Sequence, residues 1–147
     1  MLGLFDFLRR ETRKRTPRRE TGDAAEQEAE RFLRKHGFRI VDRNVTYPQG
    51  EVDLVAVEKN SGALCFVEVR SRTLTDGKAP EISPEETVTP AKRRRIIRAA
   101  LRFVRERRAA DRVLRFDVIA VRFAGEDRKN PDIRHYPGAF DARGRVL

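Results

Sequence analysis

Apolar residues recur at two different periods along this chain, and the changes of period divide it into elements. From Asp23 to His36 the positions Ala25, Ala29, Phe32 and Leu33 return every three to four residues, which predicts an amphipathic helix that Gly37 ends. Residues 38–47, FRIVDRNVTY, predict a first strand bent near Arg43-Asn44. Val52 with Leu54–Val57 and then Leu64–Val67 are apolar runs joined by turn residues, Lys59-Asn60-Ser61-Gly62, so a hairpin is expected. Thr89-Pro90 opens a second helix, with Thr as N-cap and Pro at the first helical position. Ile96, Ile97, Ala100, Leu101 and Val104 form its apolar stripe, and arginines fill the rest of its surface. VLRFDVIAV (113–121) and IRHY (133–136) predict two last strands. The order α-β-β-β-α-β-β predicts an α/β domain with a mixed sheet. Strands three and four should be parallel, joined by a right-handed crossover through the second helix.

The hairpin carries charges where an apolar face is expected. With Asn60-Ser61 at the centre of the turn, Val57 faces Leu64, Val55 faces Phe66 and Asp53 faces Glu68; a bulge at Gly62 would shift this by one residue. Like charges directly opposite each other cost about 0.2–1 kcal/mol even when solvated. A bound cation would offset that cost; so would a wet sheet edge where arginines pair with the acids. Glu26 joins the pair from the first helix, because it lies seven residues before Leu33 and so at nearly the same azimuth. Glu28 and Glu30 point away from the stripe and read as solvent charges, and Glu51 reads either as a further ligand or as a strand-end charge. Carboxylates with backbone carbonyls make a hard oxygen site suited to Mg²⁺ or Mn²⁺.

Charge changes the picture further. The net charge of +10 is concentrated: residues 1–20 carry +4, residues 90–112 carry +8, and the rest carry −2. A basic surface on one helix and one tail is the footprint of a polyanion binder. Residues 9–20, RRETRKRTPRRE, have almost no apolar side chains, so 1–20 is expected to be a flexible basic arm and 21–147 one domain. The irregular stretch 73–88, TLTDGKAPEISPEETV, is long enough to suggest a functional loop. The single Cys65 excludes an internal disulfide framework and fits a reducing, cytoplasmic setting. No long apolar span, signal peptide, zinc-ligand spacing or glycine-rich phosphate loop appears, so neither a membrane span nor a small-molecule cofactor is expected. His36 and His135 are isolated and read as structural, and Asp117 as a salt-bridge partner.

The combination D-(14 residues)-E-V-R, preceded by a helix with Glu26, resembles the PD-(D/E)XK nuclease superfamily, which includes the Holliday-junction resolvases. More closely, the chain resembles the YraN family of bacterial predicted endonucleases, uncharacterised protein family 0102. The matching pieces are EQEAERFL (26–33) with Gly37-Phe38, Arg43-Asn44, GEVDLV (50–55), FVEVRSR (66–72), VTPAK (88–92), RFDVI (115–119) and HYPGAF (135–140). The resemblance implies a restriction-endonuclease-like core with Glu26, Asp53 and Glu68 as metal ligands. It also implies sequence-tolerant hydrolysis of DNA phosphodiesters, branched DNA among the substrates, and a homodimer as one assembly. Where active superfamily nucleases usually carry lysine, this chain has Arg70, which stays charged and is a poor proton acceptor. Lys92, in the first turn of the second helix, is the candidate replacement; its ordinary reading is a solvated cation. Arg93, Arg94, Arg95, Arg98 and Arg102 are the expected backbone contacts for DNA. Two other readings stand beside the nuclease: a catalytically silent DNA-binding module, and an interaction protein that docks through MLGLFDFL (1–8).

Overall fold

A computed structural model describes residues 17–73, 88–125 and 127–147. Residues 1–16 and 74–87 lie outside them, and with them the apolar start, most of the arm and most of the irregular stretch. Helix α1 (Pro17–Lys35) is followed by β1 (Phe38–Tyr47), β2 (Gly50–Glu58) and β3 (Leu64–Thr73). Helix α2 (Pro90–Glu106) then leads to β4 (Leu114–Phe123) and β5 (Asp132–Phe140). The strands form one sheet in the order β1-β2-β3-β4-β5, antiparallel throughout except for the parallel β3–β4 pair. With a helix against each face, this is the restriction-endonuclease-like α/β architecture that the sequence predicts.

Each face has its own core. Ala25, Ala29 and Leu33 of α1 pack with Leu54, Ala56, Cys65, Val67, Ile119, Val121 and Phe123. On the other face Ile96, Ala99, Ala100 and Phe103 of α2 pack with Val55, Val57, Leu64, Phe66, Phe116 and Val118. Alternation along the strands sorts these side chains, as expected for a sheet buried on both sides. The hairpin keeps the expected register, Val57 opposite Leu64 and Val55 opposite Phe66, although Gly62 sits in its turn at φ 72°.

Four expectations need correction. First, α1 starts at Pro17, so residues 17–20 are helical instead of belonging to the arm. Proline is well placed at a helix start, where its missing N–H has no partner to lose, and the acidic Glu20 suits the first turn. Second, the buried stripe of α2 is Ile96, Ile97, Ala99, Ala100, Phe103 and Val104, while Leu101 is 50% exposed. At about 100° per residue Leu101 falls about 40° beyond Ile97, past the edge of the stripe. Third, β4 runs two residues beyond the expected end at Val121. The alternation continues there, with Arg122 partly exposed and Phe123 buried. Fourth, β5 extends to Phe140, four residues beyond the expected end. Its ladder is interrupted between Phe116 and Val118, where β5 carries Pro137 and Gly138 (φ 61°) in a bulge that hides the alternation.

Candidate active site

Asp53 and Glu68 lie within β2 and β3 where the pairing of those strands stops, near the start of α2, and Glu26 approaches Asp53 from α1. The β2–β3 ladder pairs Leu54 with Val67, one step short of Asp53 and Glu68. There an Asp53 side-chain oxygen takes over the hydrogen bond, accepting from the Val69 N–H at 2.8 Å. In the strand beside it Asn44 adopts φ 49°, which asparagine tolerates better than most residues. Val45 and Val52, paired across β1 and β2, pack towards α2. The Asn44 side chain hydrogen-bonds Glu26 of α1.

Glu68 is 3% exposed, and with Asp117 it is one of two buried charged side chains among the described residues. An ionised carboxylate at such depth needs a partner. Lys92 supplies it, with Nζ 2.8 Å from Glu68 Oε1, and the Arg70 guanidinium stands 3.8 Å from the same oxygen. Thr89 sets the reach of Lys92: its hydroxyl accepts from the Lys92 N–H at 3.2 Å and caps α2.

Asp53 and Glu26 have no ion-pair partner among the described residues. Burial and then the charge of Glu68 push Asp53 up to about 8, against the lowering effects of the Val69 N–H and of Lys92. Burial and then the charges of Asp53, Asp23 and Glu51 push Glu26 up to about 7, although the Asn44 hydrogen bond opposes the shift. Buried acids that raise one another in this way would be relieved by a divalent ion. As they stand, no three Asp, Glu, His or Cys side chains among the described residues are gathered closely enough to enclose a metal. The donor types fit a hard cation, and Lys92 engages the buried carboxylate.

Beside the acids opens a cleft of about 260 Å³ lined by Glu51, Thr89, Ala91, Lys92, Arg95 and Ile96. Its two walls are held together by a backbone contact. An added Cβ at Gly50 would lie 2.0 Å from the Arg95 carbonyl oxygen, so only glycine lets β2 approach α2 this closely.

The expected DNA-contacting arginines divide into two groups. Arg94, Arg95 and Arg98 are exposed. Arg93 donates to the carbonyls of Val88 (2.6 Å) and Gly144 (2.9 Å), tying the start of α2 to the C-terminal turn. Arg102 donates to Glu106 (3.0 Å) and Gln49 (3.1 Å) and lies 4.6 Å over the Tyr47 ring. These engagements give Arg93 and Arg102 structural work. Glu28 and Glu30 are not plain solvent charges either, since Glu28 pairs with Arg31 and Glu30 with Arg34 and Arg43.

Asp117 is fully buried on the α1 face of the sheet, opposite the face of Glu68. It accepts from Arg115 at 2.9 Å through both oxygens and from the Gly138 N–H at 3.0 Å, and it bonds His135 Nε2 at 2.8 Å. Burial alone would raise its pKa, but these partners outweigh it and hold the carboxyl below its ordinary value. The salt-bridge role expected for Asp117 and the structural role expected for His135 both hold. The sequence reading missed Asn44 and Thr89 as site residues. The signal for Asn44 was an asparagine inside a strand.

The profile of the uncharacterised protein family UPF0102 matches residues 25–121, a span that contains every candidate acid, Arg70 and Lys92. The chain belongs to this family. A UPF0102 protein of Anaeromyxobacter sp. strain Fw109-5 is 44% identical over 87% of this chain and 90% of its own length. One from Myxococcus xanthus is 45% identical over 85% and 92%. A UPF0102 protein of Coxiella burnetii is 39% identical over 68% and 79%. No helix among the described residues of this UPF0102 protein is long and apolar enough to cross a membrane.

Proposed function

We propose that this UPF0102 protein is a divalent-metal-dependent endonuclease that hydrolyses DNA phosphodiesters, branched forms included. The observation that carries the reading is the buried Glu68 held by Lys92 at 2.8 Å beside Asp53 and Glu26, two acids with raised pKa values and no ion-pair partner among the described residues. Glu26, Asp53 and Glu68 would hold Mg²⁺ or Mn²⁺, which supplies activation of water and neutralisation of charge on phosphate. The chain's own cations do the rest. Lys92, at the mouth of the cleft, presents an ammonium where negative charge develops on the phosphate. Arg70 adds a guanidinium that holds phosphate without accepting a proton. The surplus of basic residues on α2 attracts the polyanion whatever its sequence.

Arg70 in the usual lysine position favours a second reading, a catalytically silent DNA-binding module of the same fold. Incubation of the pure protein with linear, flapped and four-way DNA in Mg²⁺ or Mn²⁺ separates the two. Cleavage that disappears in Asp53→Asn while DNA binding persists supports the nuclease. Binding without cleavage of any form supports the silent module.

A further inference from the structure

The outer surface of α2 carries a second feature, which the acid site does not explain. Arg94, Arg95, Arg98, Arg105 and Arg108 are exposed, and among the described residues their side chains have no hydrogen-bond or ion-pair partner. The other arginines along this stretch are engaged: Arg93 and Arg102 as above, Arg107 with Asp42 at 2.9 Å, and Arg112 with the Gly62 carbonyl at 3.1 Å. At about 100° per residue Arg94, Arg98 and Arg105 fall within about 40° of one another, on the side away from the apolar stripe. They form a ridge, with the exposed Leu101 filling the turn between Arg98 and Arg105. Arginine is strongly attracted to carboxylates, and the one acid beside the ridge, Glu106, is taken by Tyr47 and Arg102, so the ridge is charge open to an outside partner.

The ridge has a direction. It begins two residues after Lys92, which touches Glu68, at the same end of α2 but round on its outer side, and runs away from the acids for about 16 Å of helical rise. That length matches about five base-pair steps at 3.4 Å per step. We propose that Arg94, Arg98 and Arg105 form a one-sided track for the nucleic-acid backbone, leading away from the acid site on one flank only, while Arg93 and Arg102 take no part. The track rests on the proposed DNA substrate but needs neither metal nor hydrolysis. An acidic protein is the rival partner, and it would bury Leu101 along with the arginines.

The test measures binding of a 20-base-pair duplex to the full chain by fluorescence anisotropy, in EDTA across a salt series. Changing Arg94, Arg98 and Arg105 together to Ala should weaken binding at least tenfold at low salt. It should also lower the magnitude of the log–log salt slope by about two to three, near one for each lost phosphate contact. Arg102→Ala should leave the slope unchanged, and Leu101→Ala should leave the affinity within twofold. The triple variant and Leu101→Ala should keep their thermal midpoints, since these side chains are exposed, whereas Arg102→Ala should lower its midpoint slightly by losing the contacts with Glu106, Gln49 and Tyr47. An unchanged slope in the triple variant overturns the track, as does an equal fall in slope for Arg102→Ala. So does loss of binding to poly-glutamate with DNA binding intact. Because no step requires cleavage, a protein that binds along the ridge but never cuts would refute the nuclease and leave the track standing.

Discussion

At the scale of single residues, Lys92 and Arg70 reach the same carboxylate oxygen, but at 2.8 Å and 3.8 Å. If Lys92 has taken over the role of the usual motif lysine, Lys92→Ala should lose more cleavage than Arg70→Ala, with DNA affinity nearly retained in both. An interaction made only in the transition state changes the rate, whereas a positioning contact changes affinity too. Single-turnover cleavage beside equilibrium binding measures the split, and a larger loss for Arg70→Ala would place the role on β3. Asp117 makes a different kind of prediction. Its removal leaves Arg115 and His135 beside an empty position inside the sheet, and breaking a buried ion pair from one side costs about 3–5 kcal/mol. Urea unfolding of Asp117→Ala should show that loss; a loss under 1 kcal/mol would mean that the network is not what holds β5 at this edge.

At the scale of elements, the close seating of β2 on α2 decides whether Lys92 and Glu68 meet. Gly50→Ala would drive a Cβ to 2.0 Å from a backbone oxygen, and backbone cannot rotate out of the way as a side chain can. The helix start must shift, at a typical overpacking cost of about 1–3 kcal/mol. Cleavage should fall with stability, and unchanged values of both would show that the contact relaxes freely. Such a contact is invisible in a linear pattern, and the contrast explains which features could be read beforehand. The strands of the sheet, the hairpin register and the Thr89-Pro90 helix start follow from local spacing and capping, so alternation and turn residues revealed them. The end of β5 was hidden because Pro137 and Gly138 break the alternation while the Gly138 N–H bonds the Asp117 side chain of β4 instead of a backbone carbonyl. Leu101 was misplaced because an apolar residue at the edge of a helical stripe looks the same in sequence whether it is covered or not. The placing of Asp53 and Glu68 near each other across the hairpin was legible from its register, but the partition of the arginines required knowing which carbonyls and carboxylates lie within reach.

At the scale of the whole molecule, the raised acids tie stability to pH and to metal. Glu26 and Asp53 ordinarily titrate near 4.5 and 3.8, and folding moves them up to about 7 and about 8. The folded protein therefore holds protons that the unfolded chain releases. The stability this contributes is fully present below pH 4 and is lost as pH rises through 7 and 8. Asp117 works in the opposite sense, because its lowered pKa contributes stability that is lost only on strong acidification. Metal-free protein should consequently show a falling thermal midpoint between about pH 6 and pH 8.5. A divalent ion competes with those protons for the same oxygens, so it should raise the midpoint little at pH 6 and most at pH 8.5. Asp53→Asn removes the acid with the higher of the two values. It should flatten the alkaline decline without metal and remove most of the increment from millimolar Mn²⁺. Thermal scans of wild type and Asp53→Asn at the two pH values, with EDTA or Mn²⁺, give the full comparison. A wild-type midpoint that Mn²⁺ leaves unmoved at pH 8.5 would sink the metal assignment. An alkaline decline that persists undiminished in Asp53→Asn would show that the strain lies in other charges of this strongly basic chain.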